Sequence, residues 1–115
     1  MDTWALAAGA ALAFVVARRV LGGGRAPSEQ VLRSIQAGAR IVDVRTPGEF
    51  GGGAYPGAVN IPLAVLGRRL EDIPRNGPVV LYCASGMRSA SAARILKRAG
   101  YAEVVNAGGL RHMPR

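Results

Sequence analysis

Residues Pro78–Ser89 read PVVLYCASGMRS, an apolar, β-branched run that leads into a small polar loop and then into a helix-like stretch. The run ends at Cys83, so this thiol is predicted at the carboxyl end of a buried strand and the amino end of a helix. In a parallel sheet this crevice is where ligands bind. A helix terminus carries about half a positive charge, and Arg88 adds a full one. The segment therefore predicts a reactive thiolate and a site for anions.

Strand-like and helix-like segments alternate along the sequence on both sides of this segment. The predicted strands are Arg40–Val44, Ala58–Ile61, Val79–Tyr82 and Glu103–Asn106. Three helices are predicted. The first is capped by Ser28 and ended by Gly38, and the second is opened by Pro62 and has Leu63, Leu66 and Leu70 as its apolar stripe. The third covers Ala92–Ala99 and is ended by Gly100. The alternation predicts an α/β fold with a parallel sheet of about four to five strands flanked by helices.

Composition limits the classes of function. The 115 residues suit one ordinary domain, and the net charge of +8 arises from 15 basic against 7 acidic side chains. The arginines are scattered and do not alternate with aromatic residues, which favours attraction of small anions over nucleic-acid binding. A single cysteine excludes an internal disulfide and an intramolecular dithiol cycle. We expect neither a metal nor a cofactor.

The amino-terminal segment 1–21 is hydrophobic and is predicted to be a membrane anchor. Thr3–Ala17 contains no charge and would span about 22 Å as a helix, and the stretch reaches Leu21 if Arg18 and Arg19 extend toward the lipid interface. The positive charges follow the segment, which predicts that the remaining domain is cytoplasmic. A cleaved signal peptide, with the domain periplasmic or secreted, and a soluble helix are the alternatives. Residues 22–27 would form a glycine-rich linker and residues 28–115 the domain.

Four sequence blocks occur in an order and spacing that resemble the rhodanese family of single-domain sulfurtransferases. They are DVRTPGEF at Asp43–Phe50, PGAVNIPL at Pro56–Leu63, the cysteine loop, and NAGGL at Asn106–Leu110. The resemblance implies that a sulfane sulfur passes from a small anionic donor such as thiosulfate, through a persulfide, to a thiol or cyanide acceptor. It also implies a rhodanese-like sheet with a cradle-shaped active loop.

The resemblance assigns roles to individual residues. Cys83 would be the nucleophile and sulfur carrier, and Arg88 would hold the anionic donor and lower the pKa of the thiol. The predicted substrate-binding residues are Ala84, Ser85, Gly86, Met87 and Arg88, and the predicted supporting residues are Asp43, Arg45 and Ser89. Thr46–Glu49 looks like a capping box, so Glu49 is predicted to be structural, and His112 is given no role.

Two other functions are weighed against sulfur transfer. A non-catalytic binding module with the same fold is one, although such modules commonly lose the cysteine or the arginine. A phosphatase-like enzyme is the other, but the related phosphatase loop has one more residue between these two positions than the four found here. The sequence departs from the family pattern at Ala54, where many members carry histidine, and in its short tail after Leu110.

Overall fold

The computed structural model describes residues 24–115, so the predicted anchor and the first part of the predicted linker lie outside the described residues. The strands are β1 (Arg40–Asp43), β2 (Val59–Asn60), β3 (Val79–Cys83) and β4 (Val104–Gly109). The helices are α1 (Ser28–Gln36), α2 (Pro47–Gly51), α3 (Leu63–Leu66) and α4 (Met87–Arg98), with 3-10 turns at Leu70–Asp72 and Leu110–His112.

The strands form one parallel sheet in the order β2-β1-β3-β4, which confirms the predicted α/β architecture with four strands. The five residues of β3 are all buried, as expected for a central strand covered on both faces. Asp43 pairs with Tyr82, and Cys83 pairs with Gly109. The carboxyl ends of β1, β3 and β4 therefore meet at the edge of the sheet that carries the thiol.

Side chains alternate across the sheet and form two apolar layers. Cys83 shares one layer with Leu81 and with Ala92 and Leu96 of α4. Tyr82 belongs to the opposite layer, together with Val31 of α1. The side chains of neighbouring residues in β3 thus lie on opposite faces of the sheet, and α4 covers the face that holds the thiol.

Several element boundaries differ from the sequence-based predictions. Ser28 is the first residue of α1 and makes no capping hydrogen bond, because Pro27 occupies the cap position. The helix after Pro62 ends at Leu66, where Gly67 is its C-cap, so Leu70 falls in a separate 3-10 turn. The last strand continues through the double glycine to Gly109, since its pairing with β3 extends that far.

The residues just before α1 are tied to the sheet. The Ala26 amide donates to the carbonyl of Asn106 at 2.8 Å, so this part of the predicted linker has a fixed partner. Within residues 24–115, no helix has the length and apolar character needed to cross a bilayer.

Candidate functional site

The loop between β3 and α4 is short because of one glycine. Cys83 ends β3, Met87 begins α4, and Gly86 between them has φ +103°, in the left-handed region that disfavours side chains. A Cβ on Gly86 would also lie 3.2 Å from the Gly108 Cα atom. Gly86 therefore allows the chain to turn into α4 while packing against the end of β4.

The Cys83 thiol is fully buried and is surrounded by hydrogen-bond donors. Its Sγ atom accepts from the Gly86 amide at 2.9 Å and from the Ser89 amide at 3.4 Å, and it lies 3.5 Å from the Ser89 hydroxyl. Burial acts to raise the pKa of Cys83, but hydrogen bonds from Ser89, Gly86 and Ser85 outweigh it and lower the pKa below its ordinary value. The loop therefore favours the nucleophilic thiolate without a histidine.

Ser89 is itself positioned by Asn106, a residue to which sequence reasoning assigned no functional role. The Ser89 hydroxyl donates to the Asn106 Oδ1 atom at 2.6 Å, and the same oxygen accepts from the Gly108 amide at 3.0 Å. A hydroxyl has one proton, so the hydrogen bond by which Ser89 lowers the pKa of Cys83 alternates with its hydrogen bond to Asn106. A polar residue in an otherwise apolar strand, within the block NAGGL, was the signal that could have identified Asn106.

Arg88 lies at the rim of the crevice and forms a two-pronged ion pair with Glu49 of α2. Its Nη1 donates to Oε1 at 2.7 Å and its Nη2 to Oε2 at 3.0 Å. Hydrogen bonding to Arg88 lowers the pKa of Glu49 to about 2. Sequence reasoning expected Arg88 to lower the pKa of the thiol, but the groups with the largest lowering effect are those of Ser89, Gly86 and Ser85.

Glu49 has a second set of contacts, within its own helix. The Thr46 hydroxyl accepts from the Glu49 amide at 3.2 Å, and the Thr46 amide donates to Oε1 at 3.1 Å. This arrangement confirms the predicted capping box. The capping role of Glu49 was therefore predicted correctly, whereas its ion pair with Arg88 was not predicted.

Asp43 and Arg45, which were predicted as supporting residues, form a buried network on the face of the sheet opposite the thiol. Asp43 accepts from Arg45 Nη2 at 2.7 Å and from Nε at 3.0 Å, and the Arg45 guanidinium lies 5.6 Å from the centre of the Tyr82 ring. Burial raises the pKa of Tyr82 to about 12. Among the hydrogen bonds of residues 24–115, none joins Asp43 or Arg45 to the sulfur, whose partners are Gly86 and Ser89.

The other predicted loop residues lie at the mouth of the crevice. Ala84 and Ser85 are exposed, and Met87 is 79% exposed. A Cβ on Gly109 would collide with the Ala84 carbonyl oxygen, so β4 supports the loop from behind. His112, to which no role was assigned, accepts a hydrogen bond from the Gly109 amide at 2.9 Å and holds this strand end in place.

Two further observations concern the surroundings of Ala54 and the capacity to bind a metal ion. Ala54, where the family pattern has histidine, lines a cavity of about 550 Å³ together with the short tail at Met113–Arg115.

In the part of the chain that the structure describes, histidine, cysteine and carboxylate side chains do not gather into a group that could hold a metal ion.

Residues 28–111 match the family model for the rhodanese-like domain. The chain is 41% identical over 69 residues to a sulfurtransferase of Allochromatium vinosum, covering 60% of this chain and 64% of that protein. It is 40% identical over 72 residues to the thiosulfate sulfurtransferase PspE of Escherichia coli, covering 61% and 69% respectively. A solved structure of a rhodanese with anions from E. coli matches with a TM-score of 0.62 and 38% identity, covering 66% of this chain and 94% of that one. The chain thus spans just under two thirds of the length of the A. vinosum relative.

Proposed function

The chain belongs to the rhodanese-like domain family, and we propose that it is a sulfurtransferase that carries a sulfane sulfur on Cys83. The observation that supports this most directly is the position of the Sγ atom. Cys83 ends a central strand, and its Sγ atom accepts amide hydrogen bonds from Gly86 and Ser89. The pKa of this thiol is lowered. Two relatives whose names state sulfurtransferase activity support the same assignment.

The first step would load the thiolate with sulfur. With thiosulfate as donor, the Cys83 thiolate attacks the outer sulfur, a new S–S bond forms, and the bond between the two donor sulfurs breaks. Sulfite leaves with the electron pair of the broken bond, so charge and electrons balance. The helix terminus and the loop amides would then stabilise the negative charge of the persulfide.

The second step would return the enzyme to its thiolate form. An external thiolate or cyanide attacks the terminal sulfur of the persulfide, takes that sulfur, and releases the Cys83 thiolate as the leaving group. Cyanide would leave as thiocyanate, and a thiol acceptor would leave as its own persulfide. Because the chain has one cysteine, no second thiol of the same chain can take this sulfur.

Intact-mass measurement tests this function directly. We expect the wild type to gain one sulfur atom on exposure to thiosulfate and to lose it on addition of cyanide with release of thiocyanate. Cys83→Ser should gain none. Absence of added sulfur on the wild type with thiosulfate and with organic persulfides would overturn the enzyme proposal and favour the binding module.

We also propose that residues 1–21 hold this reaction at a membrane, with the domain on the cytoplasmic side, on the basis of the sequence alone. The full chain should sediment with membranes and resist a carbonate wash, and a chain that starts at Gly22 should stay in the supernatant. Cleavage after Ala17 in cells would instead support the signal-peptide alternative.

A further inference from the structure

The cation at the rim of the crevice is already paired. Two nitrogens of the Arg88 guanidinium contact both oxygens of Glu49, at 2.7 and 3.0 Å. A parallel two-bond arrangement of this kind is the geometry in which arginine binds a carboxylate most strongly, and the one it would use for an oxyanion. An anionic donor that reaches Arg88 must therefore compete with Glu49.

We propose that Glu49 is a specificity-determining residue, whose carboxylate offsets the charge of Arg88 and so disfavours dianionic donors relative to donors of lower charge. Small organic persulfides that carry at most one negative charge would be favoured over thiosulfate. This inference rests on the proposed function, because it names the donor class of the same site.

Glu49 is held in place independently of Arg88. The Oε1 atom that contacts Arg88 also accepts from the Thr46 amide and from the Thr46 hydroxyl, both at 3.1 Å. The carboxylate is thus fixed by the first turn of α2 and is aimed at the rim before any ligand arrives. Such preorganisation means that its negative charge acts on every approaching donor.

The pair is exposed enough to interact with a ligand. The side chains of Arg88 and Glu49 are 36% and 35% exposed, so a ligand in solution can reach both. The charge of Cys83 contributes to the raised pKa of Arg88, after the larger effect of Glu49. A change of one charge at Glu49 should therefore alter the field at the thiolate.

The matched variants are Glu49→Gln and Asp72→Asn. Glutamine keeps the size of the side chain and is a regular member of capping boxes, so α2 should keep its first turn. Asp72 is an exposed carboxylate paired with Arg69 at 2.9 Å, and its loss changes the net charge by the same amount outside the site. Equal urea midpoints of wild type and Glu49→Gln would verify that the fold is kept.

The first readout is alkylation of Cys83 by iodoacetate, an anion, and by iodoacetamide, its neutral analogue. The ratio of the two rates reports the charge at the rim and requires no sulfur chemistry. We expect Glu49→Gln to raise this ratio about threefold at low salt, as Coulomb's law gives in water for the loss of one unit negative charge near the path of the reagent. The increase should shrink at high salt, and Asp72→Asn should leave the ratio unchanged.

The second readout is kcat/KM for thiosulfate divided by that for a small organic persulfide, which should also rise in Glu49→Gln. An unchanged alkylation ratio in this variant, or an equal change in Asp72→Asn, would overturn the inference while leaving the proposed function intact. An altered alkylation ratio in a protein that never accepts sulfur would instead support the rim charge and overturn the proposed function.

Discussion

Two arginine–carboxylate pairs flank the central strand, and they differ in burial far more than in geometry. Both have a shortest N–O distance of 2.7 Å. The side chains of Arg45 and Asp43 are 9% and 0% exposed, whereas those of Arg88 and Glu49 are 36% and 35% exposed. Removing one partner of a buried pair leaves an uncompensated charge, whereas an exposed pair contributes little to stability. The same chemical contact therefore serves the fold in one place and the site in the other.

The buried pair has additional partners that tie the molecule together. The Arg45 amide donates to Asp43 Oδ1 at 2.8 Å, and Arg45 Nη2 donates to the Gly53 carbonyl at 2.7 Å. These bonds connect the end of β1 to the loop after α2. The rim pair instead connects α2 to the start of α4, beside the thiol.

The largest effect is expected for Asp43→Ala. This change leaves the Arg45 guanidinium buried without its carboxylate, which should lower the free energy of unfolding by about 3–5 kcal/mol. Urea denaturation monitored by circular dichroism measures it, with Glu49→Gln as the exposed counterpart that should change little. Equal losses in the two variants would show that burial does not separate the two pairs.

A smaller loss is expected for Tyr82→Phe. The Tyr55 amide donates to the Tyr82 hydroxyl at 2.9 Å, so phenylalanine leaves that donor without its acceptor while keeping the ring beside Arg45. We expect the free energy of unfolding to fall by about 1–3 kcal/mol, the usual effect of an unsatisfied donor. Urea curves of wild type and variant at neutral pH would test this, and a variant as stable as the wild type would refute it.

The reactivity of the thiol should depend on Ser89 more than on either ion pair. Ser89→Ala removes a hydroxyl that lies 3.5 Å from the sulfur and helps to lower its pKa, so the pKa of Cys83 should rise. The rate of iodoacetamide alkylation as a function of pH gives this pKa in each variant. Arg88→Ala should raise it less, and a larger rise in Arg88→Ala than in Ser89→Ala would assign activation to the rim cation.

The smallest effect concerns acid stability. The pKa of Glu49 is about 2 in the folded protein against an ordinary value of 4.5, and Arg88 is the main cause. A lowered folded pKa contributes stability that is fully present above the unfolded pKa and is lost as the pH falls toward 2. The urea midpoint of the wild type relative to Glu49→Gln should therefore decrease slightly as the pH falls from about 5 to about 3, an interval that contains the ordinary value of 4.5. A constant difference over this interval would contradict the assignment.

Local patterns in the sequence were enough to predict the α/β class, the parallel sheet and the place of Cys83 between a strand and a helix. Strand β3 is a continuous apolar run, and the capping box at Thr46–Glu49 lies within four residues. Each of these signals depends on residues close together in the chain, where propensity and turn chemistry act directly.

The contacts that complete the site join residues far apart in the chain. Glu49 and Arg88 are separated by 39 positions, and Ser89 and Asn106 by 17. They meet because β1, β3 and β4 are neighbours in the sheet and end at the same edge, and strand order and side-chain direction follow from packing of the whole domain. The sequence alone therefore located the thiol at the junction of a strand and a helix, whereas only the tertiary structure decided that the nearby Arg88 is paired and that Ser89, Gly86 and Ser85 lower the pKa of Cys83.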